Sequence, residues 1–149
     1  MDIPKPGLSS AMPGHLIRRL HQRATQVFTQ RVRQAGFDLT PVQFSALDAL
    51  RHNPGIDQAG LAAIVAKDRA TLGDVLDRLE QKGLVARTTS ARDKRARVLR
   101  LTTQGEGMIA ALTPLVTRLQ DEILSGLSKA EVARFVQLAA KAAEAIEEG

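Results

Sequence analysis

The chain has no cysteine, no tryptophan and no tyrosine, and its aromatics are four phenylalanines. Without cysteine there is no disulfide, no thiol redox sensor and no thiolate ligand for zinc. So few aromatics argue against the stacking platforms on which single strands and RNA loops are read. No apolar run approaches the roughly 20 residues that a membrane-spanning helix needs, so no membrane association is expected. The first ten residues, MDIPKPGLSS, lack the apolar segment of a signal peptide. Export is therefore not expected, and the cytoplasm is the expected location. Catalytic signatures are missing as well. There is no nucleophile elbow and no phosphate-binding glycine loop, and His15, His21 and His52 lack the spacing of a metal-binding pair. The chain is expected not to be an enzyme, and no cofactor or metal is expected.

Positive charge is plentiful, and it is gathered in one place. Residues 84–102, LVARTTSARDKRARVLRLT, hold Arg87, Arg92, Lys94, Arg95, Arg97 and Arg100 against one acid, Asp93. That surplus of +5 equals the net charge of all 149 residues. Leu84-Val85 leads in and Val98-Leu99 with Leu101 leads out, which reads as a β-hairpin. A hairpin with charge near its tip is a poor core element and a good phosphate-contacting arm. Just upstream, Leu72, Val75, Leu76 and Leu79 recur at helical spacing, with Asp68 as N-cap and Gly83 as terminator. Residues 57–66 form a shorter helix before it. Helix, tight turn, second helix and two-stranded arm is the order of a winged helix-turn-helix.

In these segments the chain resembles the MarR family of bacterial transcriptional regulators. The wing signature D-x-R, followed by L-T, is present as Asp93, Arg95, Leu101 and Thr102. The preceding R-L-E-x-K-G-L-V-x-R pattern is present as Arg78, Leu79, Glu80, Lys82, Gly83, Leu84, Val85 and Arg87. The likeness in element order runs from about residue 12 to 147. It implies a mainly α fold with a small β-wing, built as a winged helix-turn-helix core plus long N- and C-terminal dimerisation helices. It also implies that Ile56 adds one residue to the wing sheet.

The expected organisation is a flexible lead over 1–10 and a single unit over 11–149. Within that unit, 40–102 is the DNA-binding lobe, and 11–36 with 103–149 are dimerisation helices. In the first helix Leu16, Ile17, Leu20, Ala24, Val27 and Phe28 make one stripe, ended by Gly36. Thr40-Pro41 with Gln43 is a capping box for a second helix. Thr103 with Glu106, and Ser128 with Glu131, are read as two more. Pro114 should bend the helix that follows the wing. The last helix carries Val132, Phe135, Val136, Leu138, Ala139 and Ile146. These helices are long for so small a core and need a partner face, so a homodimer is expected. Two-fold symmetry then sets two recognition helices roughly 34 Å apart on a pseudo-palindromic double-stranded operator.

The candidate DNA-binding residues are Gln58, Lys67, Arg69, Thr71, Asp74, Arg92, Asp93, Lys94, Arg95 and Arg97. The resemblance assigns Arg95 to the minor groove. Asp93 is expected to fix the arm, and Arg92, Lys94 and Arg97 to meet phosphates. Arg69 and Thr71 stand at the start of the recognition helix, with Asp74 on its groove face. Arg87 and Arg100 are expected to brace the hairpin. Family members often respond to small anionic or phenolic ligands. The matching constellation here is His15, Arg18, Arg19 and His21, where Arg can clamp a carboxylate and His can meet a phenolic hydroxyl. The expected effector is a small aromatic carboxylate or its thioester, acting on a repressor. Two other readings stand beside this one: a winged-helix protein-interaction module, and a DNA-binding regulator without an effector.

Overall fold

The computed structural model describes residues 2–65, 68–90 and 97–147, with backbone but not side chains for Arg69, Ile146 and Glu147. Among the described residues six α-helices and one hairpin follow in order: α1 Pro13–Gln34, α2 Pro41–His52, α3 Gln58–Val65, α4 Arg69–Gln81, β1 Val85–Thr89, β2 Arg97–Leu101, α5 Thr103–Ile123 and α6 Lys129–Glu147. A 3-10 turn, Leu8–Ala11, precedes α1, inside the stretch expected to be a flexible lead. Among the described residues no helix is long and apolar enough to cross a membrane.

Local chemistry sets most boundaries. Thr40 Oγ1 accepts from the Gln43 amide at 3.1 Å, and Gln43 Oε1 accepts from the Thr40 amide at 3.1 Å, closing the capping box of α2. Asp57 Oδ1 takes the Gly60 amide at 2.8 Å, so Asp57 stands just outside α3. Ser128 and Glu131 exchange hydrogen bonds of 2.9 and 3.2 Å at the start of α6. The box expected at Thr103 and Glu106 is not the one used. Thr102 is the N-cap of α5, accepting from the Gly105 amide at 3.0 Å. The helix then runs from Thr103 to Ile123 without a break at Pro114.

One core joins the lobe to the lower half of α1 and to α5. Leu47, Leu50, Leu61, Leu72, Leu76, Leu79, Leu84, Leu99, Ile109 and Leu112 are fully buried. At about 1.5–3 kcal/mol for each such side chain, this cluster is the main stabilising mass. Phe28 and Phe44 meet edge to face at 6.2 Å, fastening α1 to α2. In α1 the burial falls on Val27, Phe28 and Val32. Leu16 and Ile17, counted in the same stripe, are exposed because α1 projects beyond the core at that end.

The hairpin pairs Val85 with Leu101, Arg87 with Leu99, and Thr89 with Arg97. Alternation puts Val85, Arg87, Thr89, Arg97, Leu99 and Leu101 on one face. Asp57 bridges Val98, and the Leu99 amide donates to the Ile56 carbonyl at 2.9 Å. The addition expected at Ile56 is met by this backbone bond and by an isolated bridge at its neighbour Asp57, while the sheet itself stays two-stranded.

Candidate nucleic-acid interface

The candidate interface is built from α3, α4 and the wing. Asp68 caps α4. Its Oδ1 accepts from the Thr71 amide at 2.8 Å, and its Oδ2 from the Thr71 hydroxyl at 2.7 Å. Both bonds hold the Asp68 carboxyl below its usual range, the backbone bond most. The hydroxyl proton of Thr71 is thereby engaged, and its lone pairs remain as acceptors. Thr71 and Asp74 are exposed on one side of α4, opposite the buried Leu72, Leu76 and Leu79. Gln58 is half-buried, and its Nε2 lies 3.5 Å from where a Cβ on Gly73 would sit. It therefore packs between α3 and α4 as much as it faces outward. Arg97 is exposed near the wing end of β2. Arg69 is described in backbone only, and Lys67, Arg92, Asp93, Lys94 and Arg95 lie outside the described residues.

Arg87 leaves the middle of β1 and lies against α4. Its Nη2 donates to Asp77 Oδ1 in a short ion pair and to the Gly73 carbonyl at 3.5 Å. Its Nε is 3.7 Å from Glu80 Oε2. Arg100 points from the other face of the hairpin, with a guanidinium nitrogen 3.1 Å from where a Cβ on Gly55 would sit, over the turn after α2. The bracing expected of Arg87 is present in these contacts, while Arg100 lies over the Gly55 turn.

The four effector candidates lie along the projecting end of α1. His15 Nδ1 and Arg18 Nη2 are 3.1 Å apart, so these two form a unit. His21 borders a hollow of about 440 Å³ between α1, the end of α5 and α6, with Leu20, Leu124, Val132, Phe135 and Val136 as its apolar walls. Arg19 borders a separate surface hollow with Leu16 and Gln26. The structure thus brings His15 to Arg18 and puts His21 and Arg19 in different recesses of one chain. Arg23, two residues beyond His21 on α1, is committed elsewhere. It donates to the carbonyls of Glu122 and Ile123, both at 3.0 Å, capping α5. His52 is a helix-end residue whose ring nitrogen sits 2.9 Å from the Asp48 carbonyl. Among the described residues no cluster of three or more His, Asp or Glu is placed to hold a metal ion.

Residues 39–96 match the family model described as the MarR family. Transcriptional regulator HosA of Escherichia coli O157:H7 is 37% identical over 127 residues, covering 85% of this chain and 91% of HosA. The chain belongs to the MarR family. Its fold also matches solved MarR-type structures. The transcriptional repressor CouR, bound to a 23-mer DNA duplex, is 33% identical with a TM-score of 0.86, over 95% of this chain and 99% of that one. Bordetella bronchiseptica BpsR, whose DNA binding is regulated by 6-hydroxynicotinic acid, is 29% identical with a TM-score of 0.85, over 93% and 98%.

In this MarR-family chain three connections escaped sequence reasoning. One is the pairing of Arg87 with Asp77 and Glu80. Their signal was present, since positions 73, 77 and 80 share one face of α4. The second is the fork of Arg31 on Glu122 at 2.7 and 2.5 Å, which ties α1 to α5. The hydrogen bond from Arg31 lowers the Glu122 carboxyl most, with the nearby charges of Arg31 and Arg23 adding to it. No local pattern links residues 91 apart. The third is the approach of Gly105 to the Leu84 carbonyl, where a Cβ would sit 2.1 Å from the oxygen.

Proposed function

We propose that the chain is a homodimeric transcriptional repressor of duplex DNA, released by a small aromatic carboxylate or its thioester. The observation that carries the reading is the placement of α4. Its capped first turn and polar side are exposed, and the paired wing is held directly beside it. That is the arrangement in which a second helix enters the major groove while an arm reaches the adjacent backbone or minor groove. CouR, bound to DNA in a fold of the same class, supports it. Arg95 is the minor-groove side chain in this reading, Asp93 fixes the arm, and Arg92, Lys94 and Arg97 meet phosphates. Arg69, Thr71 and Asp74 face the major groove, with Gln58 and Lys67 at its edge.

The effector would be gripped through its carboxylate by the Arg18–His15 pair, with Arg19 and His21 contributing where the two protomers meet. BpsR, regulated by an aromatic acid, supports that chemical class. Release requires that the ligand bind better to a spacing of recognition helices that no longer fits successive grooves.

The test is retention of random-sequence duplexes by the wild type, followed by anisotropy titration at two salt concentrations with wild type and Arg95→Ala. Salt-sensitive binding that weakens on the order of tenfold or more in Arg95→Ala is expected. The complex is then challenged with hydroxynicotinate and hydroxybenzoates. A wild type that retains no sequence class would turn the reading to a protein-binding winged helix. Retention without release by any aromatic acid would leave a regulator with no such effector.

A further inference from the structure

The geometry points to Arg87 as the positioning residue that sets the wing against the recognition helix. The inference rests on the DNA-binding reading and names one determinant of it. One guanidinium touches three positions on a single face of α4: the Gly73 carbonyl, the Asp77 carboxylate and the Glu80 carboxylate. The side chain of Arg87 is 14% exposed, whereas those of Asp77 and Glu80 are 59% and 49% exposed. The arginine is thus the buried member, inserted between strand and helix. Its Nε is shielded from solvent and has no hydrogen-bond partner within the described residues, although the Glu80 carboxylate stands 3.7 Å away.

Two consequences follow from this placement. A guanidinium is planar, and contacts at three heights along a helix fix both distance and angle. The hairpin is otherwise two strands, and a two-stranded hairpin is marginal without packing. Val85 and Leu99 seat the hairpin in the core, and Arg87 adds a polar fastening from its middle to α4. The second consequence is electrostatic. Asp77 and Glu80 belong to the helix that would enter the groove, where carboxylates oppose phosphates. Arg87, itself 14% exposed, offsets their charge from the strand side.

Position and electrostatics give opposite signs for one substitution. Asp77→Asn removes a negative charge from the binding face, which by charge alone strengthens DNA binding. It also removes the strongest partner of Arg87, which by position weakens it. The experiment compares full-length wild type, Asp77→Asn and Arg87→Lys. Amide exchange of β1 and β2 is followed by mass spectrometry without DNA, and affinity is measured for duplexes that the wild type retains from a random-sequence pool. The expected result is exchange in both strands accelerated by roughly tenfold in both variants, with α5 unchanged, and affinity lowered by a similar factor. Unchanged exchange would overturn the clamp. Faster exchange with affinity equal to or above wild type in Asp77→Asn would overturn its role in DNA binding. If the wild type retains no duplex, the DNA reading itself fails, and the exchange arm still decides whether Arg87 holds the wing.

Discussion

At Asp68 one side chain both caps α4 and fixes the hydroxyl of Thr71. The carboxylate satisfies two donors of Thr71 and sits at the positive end of α4. Because it is held below its ordinary value, near pH 4, its charge contributes stability that is fully present above that pH. The contribution disappears as pH falls through the lower, folded value. Asparagine caps a helix about as well but carries no charge. Asp68→Asn is therefore expected to be less stable than wild type at pH 7 and to converge with it at an acid pH below the lowered Asp68 value. Urea midpoints at the two pH values check this. Glu122 and Glu131 are lowered too, by Arg31 and by the Ser128 amide respectively. They remain in both proteins, so the difference between variants isolates Asp68.

Between elements, the wing and α5 approach each other closely at their junction. Gly83 ends α4 with φ 76°, a left-handed conformation that glycine adopts without strain. The Leu84 carbonyl accepts from the Thr102 amide at 3.0 Å, and the Thr102 hydroxyl donates to the Gly83 carbonyl at 2.6 Å. Gly105 then lets the first turn of α5 lie on Leu84. Its substitution Gly105→Ala would drive a Cβ into a backbone oxygen, which has no rotamer to yield. A loss at or above the upper end of about 1–3 kcal/mol is expected, read from urea unfolding. A loss below that would mean that α5 can slide away from the wing. The same junction shows what local reasoning reaches. The L-T pair was legible as a wing signature, and Gly36, Gly83 and the Thr40 box were legible because caps are short-range. The choice of Thr102 over Thr103 as cap was not. It is made by a bond to Gly83, 19 residues away, that no helix-start rule contains. Arg31 with Glu122 is hidden for the same reason, whereas the face of α4 that Arg87 meets was marked by the helical spacing of positions 73, 77 and 80.

Over the whole molecule, burial divides unevenly. The lobe, lower α1 and α5 share the core, while α6 has no buried residue among those whose side chains are described. Isolated helices of this length are marginal in water, so packing must supply what propensity does not. Helix α6 exposes Val136 at 55% and Leu138 at 48%, and the projecting end of α1 exposes Ile17 at 65%. A second copy, bringing its own α1 and α6, is the partner that the proposed repressor requires. Charge agrees with that arrangement. Residues 1–35 carry six basic groups against one acid, and 103–149 carry seven acids against four basic groups. Val136→Asp and Ile17→Glu are each expected to shift sedimentation towards the monomer and to make the melting temperature depend more strongly on protein concentration. The duplex retained by wild type should then be bound much more weakly, because one half-site no longer holds its neighbour. Dimers that withstand both substitutions would place the interface elsewhere on the chain. Dimers lost with undiminished DNA affinity would mean that each protomer reads its site alone, and a two-fold operator would no longer follow.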